Sequence, residues 1–297
     1  VVIIKKSPEE IDKMARAGAI LAQTMDAIAA KIAPGVSTAE LDQLAERLIR
    51  DSGAVPTFKG YRGFPGSICA SPNTMIVHGI PGSYRLKDGD TISIDIGVTL
   101  DGWVADAART FAVGKVEPKV EKLLSVTEES LHIGVAQCQP GNRLGDVSSS
   151  IQRVVEAAGF SIVRSLVGHG VGRTMHEDPQ VPNYGKAGKG PQLEEGLVIA
   201  IEPMTTAGRP GVRVGGDGWA IFSQDGSAAA HFEFTVAVTA GGPRILTPWH
   251  LSLAERADGA DGAGRSERPR SAGGAGEQTG REASADEPAP EEIARTG

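Results

Sequence analysis

Apolar positions along this chain recur with two periods, and each period marks a kind of element. Ile11, Met14, Gly18, Leu21, Met25, Ile28 and Ile32 follow one another at steps of three and four, the spacing of one helical face. Ser7-Pro8-Glu9-Glu10 ahead of them offers an N-cap, a proline at the first helical position and a glutamate able to close a capping box. Pro34-Gly35 ends that run. A second helix is predicted behind Ser37 and Glu40, with Leu41, Leu44, Leu48 and Ile49 inward and Gly53 as its stop. TISIDIGV, WVADAARTFAV, LVIAIEPM and HFEFTVAVT alternate with the two-residue period of strands.

The pattern also repeats. APGVSTAELDQLAERLIRDSGA matches QPGNRLGDVSSSIQRVVEAAGF at an offset of 106, with Pro34-Gly35 on Pro140-Gly141 and Gly53 on Gly159. At an offset of 107, Gly89 falls on Gly196 and Asp95 on Glu202. Two related halves, each a helix pair followed by strands, predict an α+β fold with a pseudo-twofold axis. A carboxylate from each half beside that axis is a natural place for a metal.

Composition separates a body from a tail. Every Phe, Tyr and Trp lies at or before Trp249, and beyond Leu251 the chain is Gly, Ala, Ser, Pro, Arg and acids apart from Gln278, Thr279, Thr296 and two larger aliphatic residues. Such a stretch cannot offset an ordering entropy of about 1–2 kcal/mol per residue. Residues 1–250 are therefore expected to form one folded domain, and 251–297 a disordered tail. The net charge of −7 over 297 residues, without basic blocks, argues against nucleic acid as a partner. Cys69 and Cys138 form no CxxC pair, which excludes a thiolate zinc site and a disulfide framework. Without a membrane-length apolar run or a signal-like start, a cytoplasmic protein with no membrane partner is expected.

The acids inside the strands carry the chemistry. In ISIDIGV, the isoleucines share one face while Ser93, Asp95 and Gly97 share the other. Asp is depleted in strands, and a buried unpaired carboxylate costs several kcal/mol. Asp106, Glu202 and Glu233 repeat the anomaly, with few Lys or Arg near them in sequence. Four such acids point to a shared cation. His169 lies in GHGVG, where glycines would let the backbone approach a ligand; His176 follows in MHEDP and His78 lies in VHGIP. His132 and His250 read as surface residues, and His231 as either a neighbour of Glu233 or a surface residue. The chain lacks HExxH, GxSxG, Walker A and strand-borne GxGxxG patterns. One imidazole and four carboxylates suit Mn, Fe, Co or Zn. They are too many for one ion with an open position. Two ions about 3.5 Å apart could hold a hydroxide between them and clamp a tetrahedral intermediate.

FKGYRGFPGSICASPN, VHGIPG, LKDGDTISIDIGV, DGWVADAARTF, GHGVGRTMHEDPQVPNYG, GLVIAIEPM and HFEFTVAVT, in that order, resemble the signature blocks of type I methionine aminopeptidases. The resemblance runs from about Ser7 to Thr247. It implies the pita-bread fold and removal of the initiator methionine from nascent polypeptides when the second residue is small. It further implies two divalent ions (Co, Mn, Fe or Zn) held by Asp95, Asp106, His169, Glu202 and Glu233, with Asp106 and Glu233 bridging. Glu202 would double as general base, His176 would meet the scissile carbonyl, and His78 the scissile amide nitrogen. Tyr61, Phe64, Cys69, Met175 and Trp219 look like the walls of a methionine pocket. Arg62, Phe58, Met175 and Phe234 depart from common family residues and bear on the pocket rather than the ligands.

Thirty residues between Glu202 and Glu233 leave no room for the helical insertion of the type II enzymes. With a first helix starting at Pro8, the short bacterial form is expected, acting as a monomer on nascent chains, with the ribosome as a further partner. Prolidase and aminopeptidase P share the ligand plan but carry a large extra N-terminal domain. A pita-bread binding module without activity would have lost ligands, and all five residues stand here.

Overall fold

The structure, a computed structural model, describes residues 2–252, 255 and 256. Helix α1 spans Pro8–Lys31 and α2 spans Thr38–Asp51, and both start as their sequences predict. Ser7 Oγ accepts the Glu10 amide at 3.3 Å while the Ser7 amide donates to Glu10 Oε2 at 2.9 Å. Ser37 and Glu40 make the same reciprocal pair at 3.3 and 2.8 Å. Each box satisfies two amides that a helix start otherwise leaves open. The Met14, Leu21, Met25 and Ile28 face of α1 is fully buried. Gly18 is on that face for a steric reason, because a Cβ there would lie 1.9 Å from the Leu246 carbonyl oxygen.

Two antiparallel sheets follow from the alternating segments. In the first, the Thr91–Leu100 strand pairs with Trp103–Ala112 on one side and with Val55–Pro56 and Cys69–Pro72 on the other. In the second, the order is Gly242–Ile245, Phe234–Thr239, Val198–Ile201, Gly168–Gly170, Glu177–Val181. Helices α3 (Pro118–Ala136) and α4 (Leu144–Ala157) stand to the second half as α1 and α2 do to the first.

The internal repeat is physical. Gly35 and Gly141 have φ of 91° and 93°, Gly53 and Gly159 have 76° and 84°, and Gly89 and Gly196 have 89° and 88°. The Gly35 amide donates to Leu86 and the Gly141 amide to Leu193, at 2.7 and 2.9 Å. Isolated bridges Ser37–Arg85 and Arg143–Gln192 match at the same offsets. Glycine recurs at these pairs because both halves require the left-handed backbone region there. The fold is the pita-bread α+β fold, two related halves meeting face to face.

Two sequence expectations need correction. LVIAIEPM and HFEFTVAVT are not continuous strands: the first splits into Val198–Ile201 and Met204–Thr206, the second into Ala229–His231 and Phe234–Thr239. Pro203 has no amide to give the ladder, and the Glu233 amide leaves its own sheet to reach the Ala108 carbonyl at 2.9 Å. His132 and His250 are not free surface residues. Their rings meet at 5.2 Å, and both pack edge-on against Phe234.

Of the segment expected as a tail, residues 251, 252, 255 and 256 are described, and Arg256 donates to Asp26 of α1 at 3.0 Å and to the Pro248 carbonyl at 2.9 Å. The rest of 251–297 lies outside the described residues.

Candidate metal centre and substrate pocket

Strand register brings the acids together. Asp95 pairs with Ala108 and Asp106 with Gly97, so the two carboxylates lie diagonally on one face of adjacent strands. In the second sheet His169 pairs with Ala200, and Glu202 follows two residues later on the same side. Ile201 pairs with Phe234, which places Glu202 and Glu233 side by side at the two strand breaks. The glycines of GHGVG allow this packing. A Cβ on Gly168 would lie 2.3 Å from the Ala200 carbonyl oxygen, and one on Gly170 would lie 2.2 Å from that of Asp178.

Asp106, His169 and Glu233 each present a ligand atom, and the three atoms lie within 4.8 Å of one another. Asp95 joins them through contact with Asp106, and Glu202 stands 3.6 Å from His169. His169 Nδ1 donates to its neighbour's carbonyl, Gly170 O, at 2.9 Å. That leaves Nε2 bare, 3.6 Å from Asp106 and from Glu202. Burial raises the Asp95 carboxyl well above its usual range, and repulsion from Asp106 and Glu202 adds to it. Glu233 is raised well above its own range in the same way, by burial and then by Asp106 and Glu202.

Asp95 Oδ1, Asp106 Oδ1 and Glu233 Oε1 are buried without a hydrogen-bond partner. Orphaned, mutually repelling acid oxygens are what divalent cations neutralise. The donor set therefore fits metal.

A cavity of about 400 Å³ opens from this cluster, and all the expected pocket residues line it: Tyr61, Phe64, Cys69, Met175 and Trp219, with His78 and His176. Phe64 meets Trp219 edge-on at 5.1 Å. Cys69 pairs in register with Asp95, and burial followed by the Asp95 charge holds its thiol well above its usual pKa. His78 has φ of 61°, a left-handed conformation that a non-glycine residue enters at a cost of about 1–2 kcal/mol. It is held there by Gly79, whose carbonyl accepts from Ala70 at 2.9 Å and whose amide donates to Ser71 Oγ at 3.0 Å. Tyr61 Oη and His176 Nδ1 are 3.0 Å apart. Burial pushes His78 down to about 4; burial, with His169 and Arg62 nearby, pushes His176 down to about 3. Both are neutral imidazoles at pH 7.

Sequence reasoning left His231 open between two roles; the structure buries it. Its amide and carbonyl exchange hydrogen bonds with Thr110 Oγ1, both at 2.8 Å. The ring Nε2 is then 3.5 Å from Glu202 Oε2 and 3.9 Å from Glu233 Oε2. Its two-residue spacing from Glu233 was the available signal. Phe58 and Arg62, which the sequence already related to the pocket, line it, as does Ile221, which it did not single out; Phe234 is not among the lining residues.

The sequence profile of Metallopeptidase family M24 matches residues 12–240. The chain belongs to metallopeptidase family M24. It is 53% identical over 245 residues to methionine aminopeptidase 1 of Bacillus subtilis, covering 82% of this chain and 99% of that one. It is 52% identical over 245 residues to methionine aminopeptidase of Clostridium perfringens, covering 82% and 98%. The crystal structure of methionine aminopeptidase from Rickettsia prowazekii superposes with a TM-score of 0.82 at 39% identity, over 83% of this chain and all of that one. The prolidase of Pyrococcus horikoshii shares the fold alone, at 24% identity and a TM-score of 0.67. As an M24 member this chain is a metal-dependent hydrolase. Among the described residues, no helix is long and apolar enough to cross a membrane.

Proposed function

We propose that this M24 peptidase holds two divalent ions between its halves and uses them to remove methionine from polypeptide N-termini. The activity is methionine aminopeptidase activity, in keeping with relatives matched over nearly their whole length. The observation that carries the dinuclear reading is the set of three buried, partnerless carboxylate oxygens on Asp95, Asp106 and Glu233. Asp95, Asp106, His169, Glu202 and Glu233 are the residues that would hold them, with Asp106, His169 and Glu233 presenting their ligand atoms within 4.8 Å of one another. Divalent ions there lower the pKa of water and polarise a carbonyl.

The protein's own groups do the rest. The methionine side chain enters between Phe64, Trp219, Met175 and Cys69. Glu202 takes the proton of the attacking water and delivers it to the departing amine. His176 donates to the carbonyl oxygen as charge builds on it. When the Tyr61 hydroxyl donates to Nδ1, the His176 proton is fixed on Nε2, the nitrogen left for that task. Neutral His78 stands against the scissile nitrogen, and its fixed backbone leaves little room for a large second residue.

Metal analysis alongside cleavage of Met-Ala-Ser tests this reading. About two ions per chain are expected, with turnover abolished by chelation and restored by Mn, Co or Fe. Undiminished turnover in metal-free protein overturns it. Met-Ala substrates should exceed Met-Leu substrates in kcat/KM; equal values reject the second-residue limit.

A further inference from the structure

Lys6 and Glu177 form an ion pair that the fold has hidden. Nζ and Oε2 are 2.6 Å apart, with side-chain exposures of 2% and 6%. Burying two charges is costly, and such a pair is weak evidence of stability. Its surroundings give it a different use.

Glu177 ties down the turn before it. Its Oε1 accepts the amides of Arg173 at 2.8 Å and Thr174 at 3.2 Å, and Thr174 Oγ1 donates to the His176 carbonyl at 3.2 Å. That turn presents Met175 and His176 to the pocket. Lys6 is anchored on the other side. Its Nζ also donates to Ile4 O at 2.9 Å, and its amide donates to the Gly196 carbonyl at 2.7 Å. Gly196 lies just ahead of the Val198–Ile201 strand that delivers Glu202.

Two glycines make room for this arrangement. A Cβ on Gly172 would lie 2.5 Å from Lys6 Cε and 2.7 Å from Glu177 Oε1. One on Gly196, already at φ +88°, would lie 2.7 Å from the Lys6 carbonyl oxygen. Both flanks of the pair are thus built by residues without side chains.

We propose that the Lys6–Glu177 pair is a positioning device for His176, coupling the turn that carries it to the strand that carries Glu202. Lys6 touches no reacting atom and acts through Glu177. The proposal rests on the reading of His176 as donor to the scissile carbonyl.

A double-mutant cycle on the full-length, metal-loaded enzyme tests it, with kcat, KM, metal content and melting temperature read for each protein. His176→Ala should lower kcat about 10²–10³-fold. Lys6→Met should lower kcat about 10–100-fold, as displacement by a fraction of an ångström to an ångström does, with KM and metal content unchanged. In the His176→Ala background the same substitution should cost less than about twofold. Lys6→Met/Glu177→Gln strands no carboxylate and so guards against a fold that fails; its kcat should stay low while its melting temperature recovers. Wild-type kcat in folded Lys6→Met or in the double variant overturns the proposal. So does an equal loss with and without His176, the mark of a purely structural pair. If His176→Ala alone turns over at the wild-type rate, the reading of His176 has failed, and the positioning role falls with it.

Discussion

Thr235 and Asp106 clasp each other across the two halves of the molecule. Thr235 Oγ1 accepts the Asp106 amide at 3.0 Å and donates to the Asp106 carbonyl at 2.7 Å, across a sequence separation of 129. One hydroxyl thus fixes the backbone beneath a carboxylate of the candidate metal centre, and it comes from the strand that begins beside Glu233. Thr110 and His231 make the same double exchange nearby.

Thr235→Val keeps the shape and removes the clasp. Two backbone groups of Asp106 lose their partner in a buried site, at about 1–3 kcal/mol for each stranded group. The melting temperature should fall, and metal affinity with it, since the Asp106 backbone is no longer fixed from the second half. Thermal unfolding and a metal titration check this. Unchanged metal affinity would show that the first sheet alone positions Asp106.

The two histidines of GHGVGRTMH should separate by metal content. His169 has its Nδ1 committed to Gly170 and its Nε2 facing Asp106 and Glu202. His169→Ala should lose metal and turnover together. His176 bonds to Tyr61 and faces the cavity. His176→Ala should keep its metal and turn over slowly. Metal-depleted His176→Ala would contradict this assignment.

His250 should impose a pH dependence on stability. Burial, then His132 and Arg256, lowers it to about 4; Glu255 opposes this and Arg109 adds to it. Unfolded, the imidazole binds a proton near pH 6.5. Between about pH 6.5 and 4 the unfolded state therefore holds the extra proton, and stability falls as the pH falls. His250→Phe should flatten that part of the melting profile relative to wild type. Parallel profiles would assign the dependence elsewhere.

A chain ending at Arg256 should keep both turnover and melting temperature, because the residues beyond it bring no aromatic side chain and no ligand. A chain ending at His250 loses the Arg256 contacts with Asp26 and Pro248. It should melt lower while retaining kcat on short peptides. A large loss of kcat in either folded protein would tie this segment to the site.

By itself the sequence determined what depends on neighbours a few residues away. Ser7 with Glu10 and Ser37 with Glu40 close their capping boxes within one turn, and alternation in ISIDIGV already commits Asp95 to the face opposite the isoleucines. Glycines recurring at 106 and 107 residues disclosed the two halves, because a left-handed turn must be written in the residue itself. Tertiary structure alone decided what depends on residues brought together from afar. Nothing local tells that the Glu202 and Glu233 strands break where they do, since the Glu233 amide is claimed by Ala108 of the other sheet. Nothing local buries His231 beside Glu202, or pairs Lys6 with Glu177 across 171 residues. His132 and His250 looked like surface residues for the same reason: the Phe234 ring that covers them arrives only when the sheet closes. Capping and periodicity are short-range and repeat along the chain, whereas burial and electrostatic contact exist only once distant segments have met.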